Sequence, residues 1–313
     1  MYEVLAEVVR NGFVESRHYG SVAGFAPDGS LAHLRGAARE TVLPRSTTKP
    51  FQALACLKAG APLAGERLAI AAGSHTGEDF HVRTVEGILS DAGLGADALR
   101  CPPSWPEDEA TRNALVRAGE GESRVRMNCS GKHAAMLAAC VANGWPLDTY
   151  LDPSHPLQQL VRQVMADCAG EDPSPVAVDG CGAPLFGLTL TGLARAARSL
   201  VLAEDARPVA DAMRAHPEYV GGTGHDNTEF MRALPGSVAK GGAEGVLVAA
   251  TAEGRAVAVK VIDGSPRATT AIALRALAAL GADTTPAGPL GTVPVLGGGR
   301  PVGEIRTIPE GRP

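Results

Sequence analysis

The sequence predicts an α+β sandwich whose mainly antiparallel sheet unites the two ends of the chain. Three observations carry this. Residues 1–40 alternate apolar and polar side chains around Asn11-Gly12 and Asp28-Gly29, two strong hairpin-turn signals. The middle of the chain has helical apolar spacing, and an apolar hairpin with a closing helix follows it. Strands first, helices between and strands again do not read as repeated βαβ units. No internal repeat or low-complexity linker marks a boundary, so residues 1–313 are expected as one domain.

In order, residues 48–59 predict a helix, with Pro50 suited to its first turn and Gly60 to its end. Residues 68–73 (LAIAAG) are a short apolar run that fits a strand or a buried helix equally. A helix over 79–91 stops before Gly93, and another over 131–143 closes at Gly144. Residues 174–179 (SPVAVD) read as a buried strand running into a Gly-Cys-Gly turn. Helices follow near 189–201 and 207–215. Segments 245–251 and 255–262 form a hairpin around Glu253-Gly254, and 267–281 a last Ala/Leu-rich helix. The Gly- and Pro-rich tail, 282–313, reads as loosely attached.

Composition narrows the function. Aromatic residues are only 4% of the chain, which argues against a surface that stacks nucleic-acid bases, and the net charge of −5 argues against a polyanion partner. The first twenty residues carry Glu3, Glu7 and Glu15 without a basic patch leading into an apolar run, so no secretory signal is expected. Apolar stretches such as 245–251 are too short to span a bilayer. A cytoplasmic location with no membrane or nucleic-acid partner is the expectation, and a homodimer fits the commonness of two-fold assemblies. In that setting the six cysteines are expected as thiols. Cys56, Cys140 and Cys168 lie in apolar helical patterns, whereas Cys129 and Cys181 sit in glycine-flanked polar turns.

Five constellations bear chemistry. In Arg45-Ser46-Thr47-Thr48-Lys49-Pro50, Ser46 and Lys49 are three residues apart at a helix entrance and can share a face. A serine hydroxyl needs a neighbouring base, and a desolvated lysine can serve; Ser-x-x-Lys is the arrangement of the serine β-lactamases and penicillin-binding proteins. Taken alone, it also reads as a helix cap beside a solvated lysine. Ala72-Gly73-Ser74-His75-Thr76-Gly77-Glu78 offers a second serine in a turn between an apolar run and a helix, and again suits capping. Asn128-Cys129-Ser130-Gly131-Lys132-His133 and Asp179-Gly180-Cys181-Gly182 invite a zinc reading, although Cys-x-x-Lys is not the usual ligand spacing. Ala239-Lys240-Gly241-Gly242 leads into a strand, like the Lys-Thr-Gly box of the β-lactamase-like enzymes, or else is a glycine turn with a solvated lysine. Gly221-Gly222-Thr223-Gly224 echoes the glycine-threonine box of other amidohydrolases, but lies mid-chain after a helix and reads as a loop.

Taken together, EVVRNGFVESRHYGSV, LPRSTTKPFQAL, AAGSHTGEDFH, MNCSGKHAAML, VDGCGAP, HPEYVGG, AKGGAEGV and VKVIDGSPRA resemble the asparaginase II family, the rhizobial-type asparaginases, in the family's order over most of residues 4–270. The resemblance implies an α/β/α sandwich of the β-lactamase/glutaminase-like type and a Ser–Lys acyl-enzyme mechanism that hydrolyses the side-chain amide of L-asparagine. It implies two Ser–Lys pairs: Ser46 with Lys49, and Ser74 with a downstream lysine, assigned to Lys240 with Lys260 as the alternative. It also implies zinc on Cys129, Lys132 and Cys181, with Asp179 adjacent. Arg45, His75, Asp179 and Gly241 are the expected substrate contacts: Arg45 for the α-carboxylate, Asp179 for the α-ammonium. The segment Gly224-His225-Asp226-Asn227-Thr228 departs from the expected glycine-arginine pattern. Two other readings compete: a glutaminase or broader ω-amidase or acyl hydrolase on the same scaffold, and a non-catalytic asparagine-binding zinc protein.

Overall fold

The computed structural model describes residues 1–309. Along the chain run β1 (Glu3–Arg10), β2 (Phe13–Phe25), β3 (Leu31–Arg35), β4 (Thr41–Val42), α1 (Lys49–Lys58), α2 (Gly65–Ala71), α3 (Asp79–Asp91), α4 (Glu109–Ala118), α5 (Ser130–Asn143) and α6 (Pro156–Ala169). Then come β5 (Val176–Val178), β6 (Pro184–Phe186), β7 (Leu188–Thr189), α7 (Leu190–Leu202), α8 (Arg207–Ala215), α9 (Pro217–Val220) and α10 (Asp226–Ala233). Last are β8 (Val238–Gly242), β9 (Val246–Ala250), β10 (Ala256–Val261), α11 (Thr269–Ala279), β11 (Val293–Gly297) and β12 (Arg300–Thr307). The chain divides into two compact units, each discontinuous in sequence.

The sheet unit takes residues 1–47, 188–202 and everything described from 230 onward. Its eight-stranded sheet has the order β11-β12-β1-β2-β10-β9-β8, with β3 also paired to β2, and every pairing is antiparallel. Asn11 and Gly12 turn β1 into β2 at φ values of +47° and +82°, the primed turn that matches strand twist. Helices α7 and α11 cover the sheet. Leu280, just past α11, would touch a Cβ added at Gly24, at 3.0 Å. Strand alternation sends Phe25 to the other face, where the Arg195 guanidinium of α7 stands 5.4 Å from its ring. The α+β architecture read from element order is therefore present, and its sheet joins N-terminal and C-terminal strands as expected.

The helical unit takes residues 48–187 and 203–229. Its centre is α5, along which Ala134, Ala135, Met136, Leu137, Ala139 and Cys140 are fully buried. Helices α1, α2 and α3 pack around it. The lack of a side chain at Gly131 permits the close approach of α2, because a Cβ there would lie 2.6 Å from the Ile70 carbonyl oxygen. Left-handed glycines stop three helices: Gly119 after α4, Gly144 after α5 and Gly170 after α6.

One open reading is resolved and two expectations change. The run 68–73, which fitted a strand or a buried helix, is the end of α2 through Ala71 and the turn after it; burial on all sides removes the alternation that would separate the two. Residues 176–178 do form a strand, but an exposed one: among the described residues β5 pairs only with β6, and Val178 is 76% exposed. The segment 282–309, read as a loose tail, adds β11 and β12 to the sheet, with β12 pairing β1 from Ala6↔Thr307 to Arg10↔Gly303. Its glycines and prolines fall mostly in the 3₁₀ segment before β11, in the Gly298-Gly299 turn and within the strands themselves at Pro294, Gly297, Pro301 and Gly303. All six cysteines are buried thiols, with no disulfide among the described residues.

The paired tail carries a test. Ile305 is 3% exposed and faces Val8 in register. Ile305→Ala should cost about 2–4 kcal/mol in urea unfolding. A loss below about 0.5 kcal/mol, the scale of a surface change, would show that the tail is not part of the core.

Candidate active site

In the helical unit the site is built on two turns that face the first residue of α1. Lys49 opens that helix and is wholly buried. Its Nζ lies 2.8 Å from Ser74 Oγ and donates to the Asn128 carbonyl at 3.1 Å. Ser74 is itself half-buried, so its hydroxyl stays reachable while the amine behind it is shielded. An uncharged amine has two hydrogens and one lone pair. It can keep the bond to Asn128 and turn the lone pair to the serine proton, the geometry a general base requires. The sequence assigns Lys49 to Ser46; the amine that meets Ser74 here is Lys49.

The Ser74 turn is fixed from both ends. Ser74 N–H donates to Val220 O and Thr76 N–H to Gly221 O, both at 2.8 Å. Beyond them Glu78 caps α3, in a box with His81, and its carboxylate accepts from Thr76 Oγ1, Thr223 N and Thr223 Oγ1 at 2.7–2.9 Å. Gly222, with φ +146°, has no room for a side chain: a Cβ would reach Thr76 Oγ1 at 1.9 Å. The Gly221–Gly224 segment is a loop, as read, yet it is the loop that holds the second serine in place. The signal available in sequence was the acid at the N-cap of α3; its tie to Thr223 is long-range and left no local mark.

His75, expected to touch substrate, points inward. Its Nε2 meets Ser130 Oγ at 2.8 Å, Ser130 Oγ donates to Val125 O at 2.7 Å, and its ring stacks on His81 with centroids 4.9 Å apart. Burial first, then the nearby His81 and Lys49, hold it well below the ordinary histidine value, so it is neutral. It ties the Ser74 turn to the start of α5. On α5, His133 Nδ1 shares a 2.6 Å hydrogen bond with Tyr150 Oη, and burial pushes its pKa down to about 3.

The start of α5 and the turn after β5 bring a thiol cluster together. One donor atom each from Cys129, Asp179 and Cys181 lie within 4.8 Å of one another. Lys132 Nζ donates to Cys181 Sγ at 3.0 Å. A hydrogen bond from Cys129 leads the causes that hold the Cys181 thiol below its ordinary value, followed against burial by the charge and hydrogen bond of Lys132; Cys129, the donor, is pushed up. Burial alone would push the Lys132 amine down, but the two cysteines reverse this and leave it raised. Both directions favour the charged forms, an ammonium facing a thiolate. Two thiol sulfurs and a carboxylate at this spacing fit a zinc ion, whose soft, compact coordination they match. Lys132 can join them only by losing its proton.

In the sheet unit, Arg45 and Ser46 lie on the 3₁₀ turn Arg45–Thr48 that leads into α1. Ser46 is half-buried. Strand β8 lies against this turn: a Cβ added at Gly242 would stand 3.0 Å from Pro44 O and 3.2 Å from Ser46 N. Lys240, 1% exposed, donates to Gly241 O at 2.5 Å. Lys260 is on β10, half-buried, and donates to Glu244 O; desolvation leads the causes that lower its pKa. Arg45 Nη1 is 3.8 Å from Glu244 Oε1. Glu244 was not read as a site residue, and nothing in its local spacing marks it.

Comparison with known proteins follows this geometry. Among solved structures, the chain is similar to a protein described as Mglu in its native form (15% identity, TM-score 0.43, covering 83% of this chain and 59% of that one). It is also similar to a β-lactamase from Mycobacterium bovis (16%, 0.46, 83% and 94%) and to a Bacillus glutaminase (13%, 0.44, 79% and 84%). The chain therefore spans less than two thirds of the first of these. No curated protein matches it by sequence. No helix among the described residues is long and apolar enough to cross a membrane. A model of the family described as L-asparaginase II matches residues 6–307, nearly the whole chain, and on that match the chain belongs to the L-asparaginase II family of amidohydrolases.

Proposed function

We propose that this protein hydrolyses the side-chain amide of L-asparagine to L-aspartate and ammonia, with Ser74 as nucleophile and Lys49 as its base. The observation that carries the reading is the 2.8 Å approach of the buried Lys49 amine to Ser74 Oγ. Uncharged Lys49 takes the hydroxyl proton as Ser74 Oγ adds to the amide carbon, and the bond to Asn128 O keeps the amine aimed throughout. The tetrahedral oxyanion collapses, the C–N bond breaks, and the proton held on Lys49 passes to the leaving nitrogen as ammonia departs. Water then attacks the acyl ester, with Lys49 taking its proton and returning it to Ser74.

Ser46 stands three residues ahead of Lys49 in the chain, and the resemblance pairs it with that lysine, which keeps it as the alternative nucleophile. Backbone N–H groups near Ser46 or in the Lys240 strand are the oxyanion donors this reading names. Lys240 is its second lysine. Arg45 takes the substrate α-carboxylate and Asp179 the α-ammonium. Zinc would be held by Cys129, Cys181 and Asp179, with Lys132 joining on deprotonation. Bound there, it would supply a fixed positive centre that orders the turn carrying Asp179, its Lewis acidity reduced by the two thiolates.

The experiment is ammonia release from L-asparagine and L-glutamine side by side. Ser74→Ala and Lys49→Met should each lower kcat for asparagine by at least about a hundredfold, the usual range for loss of an acid–base group. Full activity in either variant would refute the pairing, and faster turnover of glutamine than asparagine would replace the substrate. Elemental analysis should find zinc in the wild-type protein and little in Cys181→Ala; a metal-free, fully active protein would remove zinc from the account.

A further inference from the structure

Two residues of the sheet unit hold the left-handed backbone without being glycine and meet each other. Arg45 has φ +52° and Glu244 φ +63°. Among the described residues Asn11 is the remaining non-glycine case, in a hairpin turn that favours asparagine. Neither Arg nor Glu has the short polar side chain that makes this conformation cheap, and such outliers gather where a chain must aim a side chain. Here they aim opposite charges at one another, with Arg45 Nη1 3.8 Å from Glu244 Oε1. The turn is gripped from below, since Lys260 Nζ donates to the Glu244 carbonyl. The Glu244 side chain lies over Gly264, where an added Cβ would stand 2.8 Å from Oε2. Arg45 is the neighbour of Ser46, so this carboxylate is held one residue from a catalytic motif.

We propose that Glu244 is a built-in stand-in for the substrate α-carboxylate: in the resting enzyme it keeps the Arg45 guanidinium oriented, and it gives way when an amino-acid carboxylate arrives. This rests on the reading of Arg45 as the carboxylate clamp. The geometry suits displacement. The Glu244 side chain is 65% exposed and that of Arg45 only 23%, so the acid can swing into water while the guanidinium stays. At 3.8 Å the contact is longer than the paired hydrogen bonds of about 2.8 Å that a free carboxylate can make to a guanidinium. A loose counterion orients the arginine without outcompeting such a ligand. It also sets specificity, because an amide without an α-carboxylate has nothing to offer Arg45 in exchange.

The test compares Glu244→Gln, and Glu244→Gly as a second variant that the left-handed backbone accepts, on two substrates: L-asparagine, and 3-aminopropanamide, which is asparagine without its α-carboxylate. Calorimetric binding of L-aspartate is measured alongside, so the result does not depend on turnover. Removing one exposed competitor should lower KM for asparagine and Kd for aspartate about two- to fivefold, the scale of a screened surface ion pair. KM for 3-aminopropanamide should stay put. An equal shift for both substrates would mean a general structural effect and overturn the proposal. Unchanged asparagine and aspartate affinities in both variants, with affinity lost in Arg45→Gln, would also overturn it while leaving the clamp intact. If Arg45→Gln leaves both affinities unchanged, the clamp and the proposal fall together.

Discussion

A lysine amine taken wholly out of water must be met by acceptors, or the fold bears the cost of an unsatisfied polar group. Lys49 is met by two: the Asn128 carbonyl and the Ser74 hydroxyl. Much of the helical unit serves that meeting. Helix α1 begins at Lys49, with Pro50 fixing its first turn. Helix α5 begins just after Asn128, so the carbonyl's position follows from where α5 starts, and α5 is set by its close packing on α2 at Gly131. The Ser74 turn is held by main-chain bonds to 220–221 and by the Glu78 carboxylate. The hydroxyl and the amine that meet here thus come from different segments, and their separation is set by how the helices and the Ser74 turn pack.

The same design recurs at the thiol cluster. Lys132 is buried, and it is met by the Cys181 thiolate. Two buried lysines, one on a serine and one on a cysteine, mark the two chemical centres of this unit. Their partners differ in the way that matters: a hydroxyl near an amine suits proton transfer, whereas a thiolate near an ammonium suits charge balance or, with the proton removed, a metal.

How much of this was legible in the sequence depends on how local each signal was. Turns with strict backbone demands were plain: Asn11-Gly12, Gly93 and Gly144 mark the element ends where they were expected. The helix 79–91 was plain too, because its cap and its stop are both local. The motifs carrying Ser46, Lys49, Ser74, Cys129, Lys132 and Cys181 stood out because reactive side chains flank glycines and helix starts. Pairing was not legible. Ser46 and Lys49 are near in sequence, so spacing paired them; the bond from Lys49 to Ser74 spans 25 residues and depends on how α1, α2 and α5 pack. The tie of Glu78 to Thr223 and the pairing of Glu244 with Arg45 were missed because the partners are distant in sequence and the backbone strain at Glu244 is invisible there. Strands β11 and β12 were missed because glycine and proline dominate their surroundings, and composition there outweighs the apolar positions that register with β1.

The account rests on Ser74 being the atom that is acylated, with Lys49 as the group that activates it. The direct measurement is to quench the protein during turnover of a slow acyl amide and locate the covalent adduct by peptide mass spectrometry. The account predicts the acyl group on the peptide containing Ser74, and no adduct anywhere when Lys49 is replaced by methionine. An adduct on Ser46, or on Ser74 at the same rate without Lys49, would contradict it.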